Sequence, residues 1–201
     1  MTLNRIKNFG RKFFVLPITK ILAKFSIHPN SITIFSLFFS VFAFIFYRKG
    51  IFFLGGIFLF FSSILDTFDG ELARQTNRIT RFGGFLDSTV DRINEFVIYL
   101  GLFLYYYNRE NYVLFWIFLA LFGSLMVSYT RARAEGLGIS PKVGIFERLV
   151  RLVFLIIGSF WGPKIFIYFL VIIALGTIQT TIHRIIYVYK RSIEIKENAK
   201  N

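Results

Sequence analysis

The sequence predicts an all-α integral membrane protein, with six transmembrane helices and an N-terminal amphipathic helix lying in the membrane interface. Three observations lead there. Of the 201 residues, 55% are hydrophobic and 17% charged, 28 are Phe, and the mean hydropathy is +0.61, whereas a water-soluble domain carries about 25% charged residues. The apolar residues fall into uncharged runs separated by short charged connections. The net charge of +13 is distributed one-sidedly among those connections.

The first 27 residues interleave Ile6, Phe9, Phe13, Phe14, Leu16, Ile18, Ile21, Leu22 and Phe25 with Lys and Arg. This suits a helix lying on an anionic leaflet, with Pro17 interrupting it. The stretch has no uninterrupted apolar core and no small-residue cleavage site, so it does not read as a removable signal peptide. Uncharged runs follow at Phe25–Tyr47, Gly50–Leu65, Phe96–Asn108, Asn111–Thr130, Leu152–Pro163 and Ile165–Ile182. Crossing about 30 Å of hydrocarbon takes about 20 helical residues, so the shorter runs must borrow charged residues at one end. The helices are then expected at roughly 31–48, 51–73, 83–107, 111–135, 145–161 and 164–190, in a single domain over 1–201 with a charged tail at 190–201.

Twenty of the 24 Lys and Arg lie in the N-terminal segment, the connections after the second and fourth helices, and the tail; Arg48, Lys49, Arg109 and Lys164 lie opposite. The positive-inside rule places both termini on the cytoplasmic side of the cell membrane. Cations spread in this way between apolar runs do not form the stripe of a nucleic-acid-binding surface, and no nucleic-acid partner is expected. With no Cys there is no disulfide framework or thiolate site. Two isolated His, His28 and His183, argue against an imidazole metal site or a Ser-His-Asp arrangement.

All four Asp of the chain, Asp66, Asp69, Asp87 and Asp91, sit in one 26-residue window. Asp66 and Asp69 are three apart and Asp87 and Asp91 four apart, so on helices each pair shares a face. The first pair ends the second helix and the second begins the third, so both belong at the cytoplasmic level. Four carboxylates at one depth repel one another, and each is costly inside a membrane. One way to neutralise them is pairing with Arg74, Arg78, Arg81 and Arg92. The other is a divalent cation, and an all-oxygen donor set without His or Cys suits Mg²⁺, Mn²⁺ or Ca²⁺. Two such ions would form a clamp suited to attack at phosphorus.

Written as a pattern, the window reads D-x2-D-G-x2-A-R-x8-G-x3-D-x3-D, met by Asp66, Asp69, Gly70, Ala73, Arg74, Gly83, Asp87 and Asp91. This resembles the signature of the CDP-alcohol phosphatidyltransferase family of membrane enzymes. Upstream, Pro29-Asn30-Ser31-Ile32-Thr33 is similar to the P-N-x-x-T element of that family, and locally it is also good helix N-cap chemistry. The resemblance implies a magnesium enzyme, with two Mg²⁺ (Mn²⁺ possible as replacement) on Asp66, Asp69, Asp87 and Asp91. It implies that Pro29, Asn30, Thr33, Asp66, Asp69, Gly70, Ala73, Arg74 and Thr80 line the site of CDP-diacylglycerol or another CDP-lipid, and that Asp91 is the general base. Gly70 would permit a backbone turn or close approach, Gly83 and Ala73 would leave room, and Arg74 would fork onto a pyrophosphate oxygen. A homodimer in contact with membrane lipids is the assembly the family implies.

The acceptor is read from arginines. Arg131 lies in Ser128–Gly138, Arg151 in Phe146–Arg151, and Arg184 near the end of the sixth helix, so three helices bring guanidinium groups to one leaflet, suited to a phosphate monoester. Cytoplasmic anchoring alone would also account for them. The run Ser128–Gly138 resembles the branch of the family that makes phosphatidylinositol phosphate from inositol 1-phosphate. It departs from that branch in having Arg131 where Lys is common, and Leu149-Val150 where the branch reads closer to E-R-P-E-R. The expected reaction is transfer of a phosphatidyl group to inositol phosphate with release of CMP. Glycerol 3-phosphate as acceptor, an ether-lipid or CDP-inositol donor, and, in another class, cation transport stay open as alternatives.

Overall fold

The computed structural model describes residues 15–25, 27–107 and 109–198. Among them are seven α-helices and no strand: α1 (Leu16–Lys24), α2 (Pro29–Arg48), α3 (Phe52–Gln75), α4 (Arg81–Tyr106), α5 (Asn111–Glu135), α6 (Arg148–Phe160) and α7 (Pro163–Asn198). By length and composition α2, α3, α5 and α7 are able to cross a membrane. The other two expected spans fall short on those criteria. Helix α4 has 26 residues but carries Asp87, Asp91, Arg92 and Glu95. Helix α6 has 13 residues, about 20 Å at 1.5 Å per residue.

The expected interfacial helix falls partly on residues 1–14, which lie outside the described residues. Its described part, α1, has Pro17 in its first turn, where a missing N–H costs nothing; the stretch that Pro17 was expected to separate from it lies outside the described residues. The hydroxyl of buried Thr19 accepts a hydrogen bond from Gln75 Nε2 at 2.7 Å, docking α1 on the end of α3. Helix α2 starts at Pro29, and its cap is the His28 imidazole, whose Nδ1 accepts from the Asn30 N–H at 3.2 Å. Helix α7 continues to Asn198, beyond the expected end near 190, with an Arg191–Glu194 pair one turn apart on its last stretch.

Large apolar side chains point both inward and outward. Tyr47, Phe52, Leu59, Ile98, Leu102, Tyr106, Phe166 and Leu170 form the core, while Phe35, Phe38, Phe53, Phe115, Phe118, Phe122 and Tyr168 are exposed. Outward Phe is stable where the solvent is hydrocarbon. Helices meet through small and polar residues, as expected of membrane bundles. A Cβ on Gly101 would stand 2.9 Å from the Phe44 carbonyl oxygen, and Tyr47 and Ser159 hydroxyls bond at 2.7 Å.

Helix α2 packs against both α3 and α4. A polar seam fixes this contact: Ser40 and Ser62 hydroxyls lie 2.8 Å apart, Ser62 Oγ donates to the Ser36 carbonyl at 3.0 Å, and Asn94 Nδ2 donates to Ser36 Oγ at 3.0 Å. The seam sets the last turns of α3 and the first turns of α4 beside the start of α2. Helix α5 lies on α7, and α6 packs against both α3 and α7.

Candidate functional site

Asp66 and Asp69 stand on the last turns of α3, and Asp87 and Asp91 on the first turns of α4. One carboxylate oxygen from each of Asp66, Asp69 and Asp87 lies within 4.8 Å of the others. Asp69 Oδ2 accepts a 2.5 Å hydrogen bond from Thr33 Oγ1, which ties this carboxylate to α2. Asp91 is not one of that trio, although its carboxyl lies against that of Asp66. Its Oδ1 faces Arg148 Nη2 at 2.7 Å, without hydrogen-bond alignment, and its Oδ2 lies 3.6 Å from Arg92 Nη1. Arg148 Nη1 also donates to Asp66 Oδ2 at 2.5 Å, so this guanidinium joins the fourth carboxylate to the other three. Asp66 Oδ1 is buried with no hydrogen-bond partner. Three converging carboxylates, all-oxygen donors and an orphaned Oδ1 fit a hard divalent cation.

Beside this cluster a cleft of about 180 Å³ is lined by Pro29, Asn30, Thr33, Asp69, Gly70, Ala73, Arg74, Arg78, Ile79, Thr80, Gly83, Gly84 and Asp87. Of the residues expected to line a nucleotide site, Asp66 alone is not on its wall. Thr80 caps α4, its Oγ1 accepting from the Gly83 N–H at 2.9 Å. Gly83 keeps that cap and Asn30 close together, since a Cβ there would lie 3.0 Å from Thr80 Oγ1 and 3.3 Å from Asn30 Oδ1. Gly70 lies within α3 and makes no turn. A Cβ there would meet the Arg74 guanidinium at 3.9 Å, so this glycine keeps the cleft floor low. Arg74 is exposed, and its Nε and Nη2 are bound to Glu71 Oε2 at 3.1 and 2.9 Å. One edge of its fork is therefore in use within the protein.

On the Asp91 side a second pocket of about 150 Å³ is lined by Asp91, Arg92, Val127, Ser128, Arg131, Glu147, Arg148, Arg151 and Arg184. The three arginines singled out in the sequence thus share one pocket, each with a partner. Arg131 Nε donates to Glu135 at 2.9 Å. Arg184 donates from Nε to the Val143 carbonyl at 3.1 Å and from Nη1 to the Val127 carbonyl. Arg151, 1% exposed, is held by both oxygens of Glu95 at 2.9 and 3.1 Å and donates to the Phe146 carbonyl at 3.1 Å.

Arg148 and Glu95 were missed as site residues by the sequence reading. The signal was present: Glu95 follows Asp91 by four on α4, and Arg148 precedes Arg151 by three on α6, so each shares a helix face with an expected site residue.

A family model described as CDP-alcohol phosphatidyltransferase matches residues 26–182. The archaetidylinositol phosphate synthase of Methanothermobacter thermautotrophicus is 42% identical over 150 residues, which is 72% of this chain and 74% of that protein. The crystal structure of Mycobacterium tuberculosis phosphatidylinositol phosphate synthase with CDP-DAG bound superposes with a TM-score of 0.80 at 27% identity, covering 88% of this chain and 94% of that one. The same enzyme in complex with manganese and citrate superposes with a TM-score of 0.79 at 28% identity, covering 86% of this chain and 88% of that one.

Removing one member of a buried ion pair strands the other charge, at a cost of about 3–5 kcal/mol. Glu95→Ala is expected to destabilise the protein by that amount, whereas Glu135→Ala, at an exposed pair, costs at most about 1 kcal/mol. Denaturation of the two variants in detergent measures the difference.

Proposed function

The chain belongs to the CDP-alcohol phosphatidyltransferase family, and from that premise we propose that it transfers the phosphatidyl group of a CDP-linked lipid to a hydroxyl of inositol 1-phosphate, releasing CMP. The observation that carries this reading is the pair of clefts on one carboxylate cluster. Asp69 and Asp87 wall the cleft beside Asn30 and Thr33, and Asp91 walls the pocket holding Arg131, Arg151 and Arg184. A nucleotide and a phosphorylated acceptor bound in the two would meet at the carboxylates. The relatives support it: both the archaeal and the mycobacterial enzyme are named for an inositol phosphate product.

Asp66, Asp69 and Asp87, with Asp91 completing the set, would hold two Mg²⁺, or Mn²⁺ in their place. When bound, such ions polarise phosphoryl oxygens and favour departure of the nucleotide. The residues of the chain do the rest. Pro29, Asn30, Thr33, Gly70, Ala73 and Thr80 shape the nucleotide cleft, and Arg74 turns its open Nη1 edge to the pyrophosphate. Arg131, Arg151 and Arg184 position the acceptor phosphate. Each arginine has a carboxylate partner, Glu95 on buried Arg151, Glu135 on Arg131 and Glu147 at 3.6 Å from Arg184, so Arg151 chiefly orients the anion, and the exposed pair of Arg131 and the long pair of Arg184 are the ones an incoming phosphate competes for. Asp91, facing the acceptor pocket, takes the proton of the attacking hydroxyl.

A largely apolar groove of about 650 Å³, lined by residues that include Ile18, Phe35, Phe39, Phe61, Ile64 and Phe68, runs along α2 and α3 on another face of α3 from Asp66 and Asp69, reaching the same level along the helix. It gives the lipid tails a sideways approach from the bilayer. We read α2 to α7 as six crossings with α1 in the interface, the carboxylates at the cytoplasmic level, and the protein as a homodimer. The one-sided Lys and Arg distribution supports the orientation.

Protein purified in detergent with Mg²⁺ and CDP-diacylglycerol is expected to release CMP with inositol 1-phosphate and not with inositol, serine or glycerol 3-phosphate. Release with glycerol 3-phosphate alone would overturn the acceptor assignment, and no release with any acceptor would overturn the enzymatic reading. Asp91→Asn is expected to keep its fold and lower kcat by about 10²–10⁴, the usual worth of a general base; single-turnover CMP release measures it.

A further inference from the structure

Arg148, the first residue of α6, stands between the two clefts. Its Nη1 is hydrogen-bonded to Asp66 Oδ2 and its Nη2 faces Asp91 Oδ1 at 2.7 Å. One planar guanidinium therefore forks between a carboxylate of α3 and a carboxylate of α4. The same side chain walls the pocket of Arg131, Arg151 and Arg184. Asp66 is also one of the three carboxylates that converge within 4.8 Å, and its other oxygen, Oδ1, is buried with no hydrogen-bond partner. Asp66 thus holds a cation on one oxygen and leaves the other unpaired.

We propose that Arg148 is the resident counter-ion of the cation site: it neutralises Asp66 and Asp91 while no metal is bound, and a divalent ion entering the Asp66, Asp69 and Asp87 cluster displaces it from Asp66. The inference rests on the metal reading given under the proposed function. Three physical facts carry it. Two cations cannot draw on the same carboxylate at bonding distance without repelling each other. The Arg148 head is largely withdrawn from water, with its side chain 25% exposed, so this repulsion is weakly screened. Finally, while the first ion alone is bound, Arg148 has a second carboxylate, Asp91, to hold when Asp66 is taken. The site therefore pays an ion pair to load its metal, and that cost lowers the apparent metal affinity.

Mn²⁺ titration followed by electron paramagnetic resonance, on the full chain in detergent after chelation, tests this without recourse to turnover. Arg148→Gln is expected to bind Mn²⁺ about tenfold more tightly than the native chain, a gain of about 1.4 kcal/mol. Arg148→Lys keeps the charge, loses the fork, and is expected to fall between the two. Arg92→Gln removes a charge 3.6 Å from Asp91 and controls for the general field. It is expected to stay within about threefold of the native affinity, less than about 0.7 kcal/mol. Equal affinity of Arg148→Gln and the native chain would overturn the inference, as would equal tightening by Arg92→Gln. If Arg148→Gln does not fold, an unchanged affinity in Arg148→Lys overturns it. Absence of Mn²⁺ binding by the native chain and every variant would instead overturn the metal reading, and this inference with it.

Discussion

Mutual repulsion among the aspartates at the ends of α3 and α4 is the constraint around which this end of the bundle is built. Two unit charges within 4.8 Å repel by about 3–4 kcal/mol at an effective dielectric constant of about 20. Nothing in helix packing rewards that arrangement. Beside Arg92 of α4 itself, 3.6 Å from Asp91, the structure meets it with groups from outside the two helices: Thr33 of α2 on Asp69, and Arg148 of α6 on Asp66 and Asp91. The cluster thus depends on four helices, although its carboxylates come from two.

Helix α2 holds that assembly in register. Its Ser36 takes bonds from Ser62 of α3 and Asn94 of α4, and its first turn supplies Pro29, Asn30 and Thr33 to the cleft beside Asp69 and Asp87. A chain in lipid has no hydrophobic force to bring helices together, so hydroxyl and amide bonds of this kind, with close small-residue contacts, carry the packing. The same bonds set the depth of the carboxylates, which couples fold to site directly. On the other wall the Glu95–Arg151 pair, buried on both sides, locks α4 to α6 and backs the pocket lined by Arg131, Arg148 and Arg184.

Much of the site was legible in the sequence because it lies in short, fixed spacings. The two Asp pairs, Gly70, Ala73, Arg74 and Gly83 are local, and their helical faces follow from residue numbers. The three arginines on separate helices were placed at one level by counting spans and charges, and they do share a pocket. What escaped was pairing between helices. Arg148 read as one more cytoplasmic anchor because its partners are 82 and 57 positions away, and Glu95 read as one of seven scattered Glu. Arg74 read as a free fork, whereas Glu71, three positions earlier, holds one of its edges. Hydropathy was least informative for α4 and α6, because the charged residues at the start of α4 interrupt its apolar stretch and α6 is only 13 residues long.

A phosphatidyl transfer needs a donor, an acceptor and a cation at a common point, and on the proposed reading the two clefts that border the carboxylates answer to that need. The central claim is that the cluster of Asp66, Asp69 and Asp87 is a divalent-cation site. Anomalous diffraction at the manganese edge, from crystals of the protein grown with Mn²⁺, tests it most directly. The account expects an anomalous peak bonded to oxygens of all three aspartates; manganese bound elsewhere with none between them would contradict it.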